Sequence, residues 1–242
     1  DPTHDATTSF VYDRLGRVEL ATDALGEDEH FEYDALGNVT KETNKLGGVT
    51  NRIYDRMGRL LIEVSPVEAE TVGAETYNYA TEYVYDALGN LTSKIEGKVH
   101  SATSLSTGWL SGSTYPERTT SYEYDSLNRL DKTILPEIET YANYLDITGT
   151  TDTPEETIVY DAFGRVIEQV NAEDARVWSW YDARGNLSHQ LTETEAGKGV
   201  LTEHDYDAFG QVIETRVYET LDDLGSSRSG NPPSVAGSVR TT

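Results

Sequence analysis

The sequence predicts an all-β fold, built of tandem β-hairpins in one long, twisted antiparallel sheet that coils into a spiral. Three observations carry this. The pattern Tyr-Asp-x-x-Gly, with asparagine for glycine in one copy, recurs eight times at a minimal spacing of 21 residues. Residues flanking each copy alternate with strand periodicity. Turn residues return too often for any helix of useful length. Self-similarity of this kind decides the architecture before local propensities do.

The first unit shows how 21 residues divide. Thr8 to Tyr12 alternates, with Phe10 and Tyr12 on one side, and reads as a strand. Asp13-Arg14-Leu15-Gly16 reads as a turn in which aspartate accepts backbone N–H bonds and glycine takes a left-handed conformation. Arg17 to Thr22 returns as the second strand, and Asp23-Ala24-Leu25-Gly26 turns the chain into the next unit.

The remaining units repeat this scheme in order. The motif pairs are Tyr12-Asp13, Tyr33-Asp34, Tyr54-Asp55, Tyr85-Asp86, Tyr124-Asp125, Tyr160-Asp161, Tyr181-Asp182 and Tyr206-Asp207. The turns close on Gly16, Gly37, Gly58, Gly89, Asn128, Gly164, Gly185 and Gly210. The single asparagine is the substitution that a required positive φ predicts, because asparagine tolerates that region best after glycine. Two residues on stand Val18, Val39, Leu60, Leu91, Leu130, Val166, Leu187 and Val212, so one buried face is expected along the array. That face includes the motif tyrosines, and the positions immediately before them are expected to be partly wet.

Spacings longer than 21 residues place insertions at 65–80, 97–119, 136–156 and 193–202. All follow a returning strand, so they gather on one edge of the ribbon while the Tyr-Asp turns line the other. Trp109 and Tyr115 are expected to anchor the Ser/Thr/Gly-rich second insertion, and Thr148 to Glu156 to form a polar surface loop. The repeat array therefore spans 1–221, and 222–242, with its Gly-Ser-Ser and Pro-Pro runs, reads as a linker or extended arm.

Composition narrows the function. A formal charge of −24 argues against nucleic acid or an anionic membrane as partner, since no basic field attracts phosphate. No apolar run is long enough to span a bilayer as a helix. The absence of cysteine removes disulfides, thiol catalysis and Cys-based metal sites. His4, His30, His100, His189 and His204 show no metal-ligand spacing, and neither an EF-hand nor a nonapeptide calcium loop is present. No cofactor is expected. An active site needs one constellation, whereas the Tyr-Asp motif offers eight equivalent ones, so its residues are assigned structural roles and no catalytic residue is named. Trp178 and Trp180 share one face of a strand and are candidates for stacking on a glycan, with sheet packing the commoner role.

The motif Tyr-Asp-x-x-Gly-Arg/Asn-Leu/Val, with its partner turn at Thr22 to Gly26, resembles the YD repeats of the Rhs family over residues 8–221. That family includes bacterial Rhs and wall-associated polymorphic toxins, shell components of ABC insecticidal toxins, and animal teneurins. The resemblance implies a spiral or partial shell enclosing a C-terminal toxin or the chain's own terminus. The family's Asp-Pro-x-Gly self-cleavage motif has no match, since Asp1-Pro2 runs into Thr3-His4. The expected function is a non-catalytic extracellular scaffold or casing at a bacterial surface. Its partners are further repeats, copies of itself or an enclosed toxin domain. A glycan-binding adhesion module and a self-assembling filament subunit stay open beside it.

Overall fold

In the computed structural model the described residues are 7–72, 75–100, 118–140, 150–195, 198–222, 232 and 239–241. They form nineteen strands, and no helix occurs among them. The chain divides into two compact units, Asp1–Thr120 and Ser121–Thr242.

In the first unit, β1 (Ser9–Tyr12), β2 (Val18–Thr22), β3 (Asp28–Tyr33), β4 (Val39–Thr43), β5 (Val49–Tyr54), β6 (Leu60–Val72), β7 (Glu75–Tyr85) and β8 (Leu91–His100) pair antiparallel in chain order. The boundary falls within β9 (Arg118–Tyr124), which pairs with β10 (Leu130–Ile134), and the second unit continues through β13 (Glu155–Tyr160), β14 (Val166–Val170), β15 (Arg176–Tyr181), β16 (Leu187–Glu195), β17 (Lys198–Tyr206) and β18 (Val212–Asp222). A short β19 (Val239–Thr241) pairs with β18, while β11 (Ile138–Thr140) and β12 (Thr150–Asp152) form a separate two-stranded hairpin.

Register is uniform from repeat to repeat. At six junctions the residue two beyond the aliphatic position lies opposite the residue three before the next motif tyrosine: Leu20 with His30, Lys41 with Asn51, Ile62 with Glu82, Lys132 with Thr157, Glu168 with Trp178, and His189 with Glu203. Every described Tyr-Asp hairpin is bulged just before its turn, as between Val11 and Tyr12. A bulge at a fixed point pins the register, and a one-residue slip would turn every side chain to the wrong face.

Parts of the insertions lie among the described residues. Those at 65–80 and 193–202 lengthen β6 and β7, and β16 and β17, into taller hairpins. Within 136–156 the described residues include β11 and β12, so Thr150–Asp152 is exposed as expected but is a strand rather than a loop. Trp109 and Tyr115 lie outside the described residues, as does most of 222–242.

Burial departs from the sequence expectation. The buried hydrophobic residues form two clusters, Ile62, Val64, Ala80 and Val99 in the first unit, and Trp178, Leu191 and Leu201 in the second. Ile53 packs against the first and Trp180 against the second, and both immediately precede a motif tyrosine. The face read as partly wet therefore carries the core wherever strands are long. At the short repeats neither face is sealed: Phe10, Val11 and Tyr12 are each about half exposed. Four- to six-residue strands supply too few apolar positions per face to bury one, and the lengthened hairpins supply the rest.

Candidate functional site

The most repeated arrangement in the molecule is the Tyr-Asp turn, and its geometry is set locally. Asp13 Oδ1 accepts the N–H of Leu15 at 2.8 Å and of Arg17 at 2.9 Å. The Asp13 N–H donates to the Arg17 carbonyl at 2.8 Å, and Gly16 N–H to the Asp13 carbonyl at 3.1 Å. This closes a turn that demands a left-handed fourth residue, and Gly16 sits at φ +80°. Asn128, the one non-glycine in the series, sits at φ +66°. All eight motif aspartates accept the same pair of N–H groups, ending with Phe209 and Gln211 on Asp207 at 2.8 and 2.9 Å.

The residue after the turn glycine, quoted in the motif but given no role from sequence, does two things. Where it is arginine it holds its own aspartate: Nε of Arg17, Arg59, Arg129 and Arg165 donates to Oδ2 of Asp13, Asp55, Asp125 and Asp161 at 2.6–2.7 Å. Where it is asparagine, Nδ2 of Asn38, Asn90 and Asn186 takes that place at 2.8–2.9 Å. The arginines also lie over the motif tyrosine of the next repeat, 4.2–4.7 Å from the rings of Tyr33, Tyr85, Tyr160 and Tyr181. A guanidinium stacked this closely interacts with the ring quadrupole, so carboxylate, cation and ring form one stack across two repeats.

A second contact ties the same repeats together. The hydroxyls of Tyr33, Tyr85, Tyr160, Tyr181 and Tyr206 donate to the carbonyls of Val18, Leu60, Leu130, Val166 and Leu187 at 2.6–3.0 Å. Each accepting carbonyl belongs to the aliphatic position of the preceding repeat. Tyrosine is thus specified over phenylalanine by a polar partner, beyond its ring area.

The carboxyls respond to this wiring. The Arg17 and Arg59 backbone N–H groups lead in holding Asp13 and Asp55 below the ordinary carboxylate value. The side-chain amides of Asn38, Asn90 and Asn186 lead at Asp34, Asp86 and Asp182, and the Arg129 side chain leads at Asp125. At Asp161 burial is the largest influence and pushes upward, but the hydrogen bonds from Arg165 and Phe163 outweigh it. On the opposite turn, Lys45 bonds to Asp23 at 2.9 Å and lowers its pKa to about 2. These seven aspartates, Asp13 to Asp182, are held ionised by their donors, a poor setting for proton transfer near neutral pH.

Two turns on the opposite edge went unrecognised in the sequence. Asn44 caps the turn ending at Gly47, and Asn171 the turn ending at Asp174, which takes φ +61°. The signal was present in Asn-x-x-Gly, but Asn-Ala-Glu-Asp lacks the glycine.

The tips of seven of the eight Tyr-Asp turns are apolar, Arg184 being the exception. Leu15, Leu36, Met57, Leu88, Leu127, Phe163 and Phe209 occupy the third turn position at 65–90% exposure. They form exposed apolar points along the turn edge of each unit.

In the second unit Arg216 pairs with Glu203, Asp205 and Glu214, Tyr218 donates to Glu203 at 2.9 Å, and His189 Nε2 lies 3.6 Å from Glu203. Beside it is an open cavity of about 380 Å³ lined by Asp182, Ser188, His204 and Tyr206. Three carboxylates of this cluster share the Arg216 guanidinium. No group of residues able to hold a metal occurs among the described residues. Trp178 is only 3% exposed, packed with Leu191 and Leu201, so its ring cannot meet a sugar as the sequence reading allowed. Trp180 is half-buried against the same cluster.

A sequence-family profile described as RHS Repeat matches residues 30–67. No curated protein matches the chain. Among solved structures, a Tc holotoxin pore of Photorhabdus luminescens is 15% identical over 87% of this chain and 13% of its own, with a TM-score of 0.32. A TcdB2–TccC3 crystal structure lacking its hypervariable C-terminal region is 14% identical over 98% of this chain and 16% of its own, with a TM-score of 0.18. The chain thus spans 13–16% of the length of these proteins.

Proposed function

We propose that this chain, whose residues 30–67 match the profile described as RHS Repeat, is a length of non-catalytic wall, serving an extracellular or cell-surface casing whose full length encloses a C-terminal toxin segment. The observation that carries this reading is the saturation of the motif. Each Tyr-Asp turn spends its carboxylate on its own backbone, and seven of the eight spend an arginine or asparagine on that carboxylate as well. What the repeat then offers outward is a stack of identical rungs, and adding rungs lengthens a wall without creating a new site. The apolar turn tips suit packing against a further course of the same wall. The adhesion reading loses its best observation with the burial of Trp178.

Electron microscopy of the intact natural product tests the casing directly. Hollow closed particles, with the C-terminal segment shielded from added protease, are expected. Solid particles with a freely digested C-terminus would refute enclosure. A motif aspartate whose replacement abolished a hydrolytic activity while leaving the fold intact would refute the non-catalytic assignment.

A further inference from the structure

Three of the ten asparagines begin an Asn-x-Ser/Thr sequence: Asn38-Val39-Thr40, Asn90-Leu91-Thr92 and Asn186-Leu187-Ser188. That tripeptide is the acceptor pattern for an N-linked glycan, and an acceptor ordinarily sits on a free surface loop. Here all three asparagines directly follow a turn glycine. The other residues at that position, Arg17, Arg59, Arg129, Arg165 and Gln211, have Glu19, Leu61, Asp131, Ile167 and Ile213 two places on, so the hydroxyl accompanies asparagine alone.

The hairpin engages both side chains of each tripeptide. Nδ2 of Asn38, Asn90 and Asn186 donates to Oδ2 of Asp34, Asp86 and Asp182. The hydroxyls of Thr40, Thr92 and Ser188 donate to the carbonyls of Glu32, Val84 and Trp180 at 3.1–3.3 Å. Each of those carbonyls belongs to the residue just before a motif tyrosine, where the strand bulges. The next turn closes in on the amide as well. A Cβ added at Gly58 would stand 3.8 Å from Asn38 Nδ2, and one added at Gly210 would stand 3.6 Å from Asn186 Oδ1. A sugar ring does not fit between turns that close.

We propose that Asn38, Asn90 and Asn186 are N-glycan acceptors only while their hairpins are open, so that glycan attachment and turn closure compete for one amide nitrogen. The co-substrate is a glycosyl diphosphate. In the transfer the Nδ2–C1 bond forms, the bond from C1 to the diphosphate oxygen breaks, the diphosphate leaves with the electron pair, and one Nδ2 proton is lost to solvent. Closure withholds the nitrogen, because it is held against a carboxylate that stays ionised. Modification therefore follows the population of opened hairpins. The inference stands independently of the wall reading.

The test uses the full chain, a soluble asparagine glycosyltransferase with its nucleotide-sugar donor, and mass spectrometry to read occupancy at each site. A tryptic digest of the same chain shows what the enzyme accepts once the hairpins are gone. Glu173→Thr supplies a folded control: it completes an acceptor tripeptide at Asn171, which is exposed and caps its turn through Oδ1, while its Nδ2 has no bond among the described residues. The three native sites are expected to be modified in the digest and at least about tenfold less in the folded chain, with Asn171 of the folded variant modified as readily as in its own digest. Asp34→Ala removes the partner of Asn38 and should raise occupancy there severalfold with Asn186 still protected, and Asp182→Ala should do the reverse. Four results would each overturn the proposal: native sites modified as fast in the folded chain as in the digest, a digest refused at all three, an Asn171 as protected as they are, or aspartate variants that open neither site or both alike.

Discussion

Gly58 and Gly48 lie ten residues apart and are predicted to resist substitution for opposite reasons. Gly58 closes the third Tyr-Asp turn at φ +79°, and an added Cβ would meet only the Asn38 side chain, at 3.5 and 3.8 Å. Space is available, so the penalty is conformational, roughly 1–2 kcal/mol for an ordinary L-residue in the left-handed region. Asparagine should cost least, as Asn128 shows at the equivalent turn, alanine more, and valine most because β-branching adds its own restriction. Gly48 has an unremarkable φ, but its Cβ would stand 2.9 Å from Pro66 Cβ and 3.0 Å from Asn44 Nδ2. Here alanine and asparagine should both be costly, by about 1–3 kcal/mol, because the obstacle is overpacking. Thermal melts followed by circular dichroism read the difference, at about 2–4 °C per kcal/mol for a chain of this size. The reasoning is refuted if asparagine is as damaging as valine at residue 58, or if asparagine is tolerated better at residue 48 than at residue 58.

Three further outcomes are expected. Tyr181→Phe removes the 2.8 Å bond to the Val166 carbonyl and keeps the ring under Arg165, so it should cost about 0.5–1.5 kcal/mol in urea unfolding. Trp178→Ala opens the second unit's core and should cost about 3–5 kcal/mol, well above Trp180→Ala, with fluorescence-monitored unfolding as the measure. Acid should unfold the protein through its turns. The carboxyls of Asp13, Asp34, Asp55, Asp86, Asp125, Asp161 and Asp182 are depressed in the folded state, and Asp23 lies at about 2. Depressed carboxylates contribute stability in full above the unfolded value near 4 and lose it as pH falls through their folded values, so the loss should fall between about pH 4 and 2. Unchanged tyrosine and tryptophan fluorescence down to pH 2 would contradict this.

The turns were legible in the sequence because their chemistry is local. Aspartate, the residues two and four ahead of it and a glycine or asparagine are all within five positions, so Asn128 could be given its backbone conformation without knowledge of the fold. The opposite turn at Asn171 was missed because Asp174 supplies the left-handed residue where glycine was sought. Arg17 and its equivalents were visible as letters, but their stacking on Tyr33 and its equivalents links residues sixteen or more apart, and no local pattern encodes that. The buried face was assigned to the wrong side. Alternation shows that a strand has two faces, whereas Ile62, Ala80 and Leu201 are sealed by the lengthening of neighbouring strands, which appeared in the sequence only as insertions. Trp178 illustrates the same limit, since an aromatic beside a turn-rich segment reads alike whether it caps a core or faces solvent.

One property of the turn bears on how such a chain acquires its structure. Because each aspartate is satisfied by N–H groups two and four residues ahead, a hairpin can close as soon as its own residues are available. Because strands pair in chain order within each unit, the surface awaiting each new hairpin is the one just completed. Loop-closure entropy is therefore met in small instalments, and no early segment has to wait for a distant partner. A polypeptide emerging from a ribosome or an export channel would gain order from its leading end at the pace of its delivery, with only its newest edge open to mispairing at any moment.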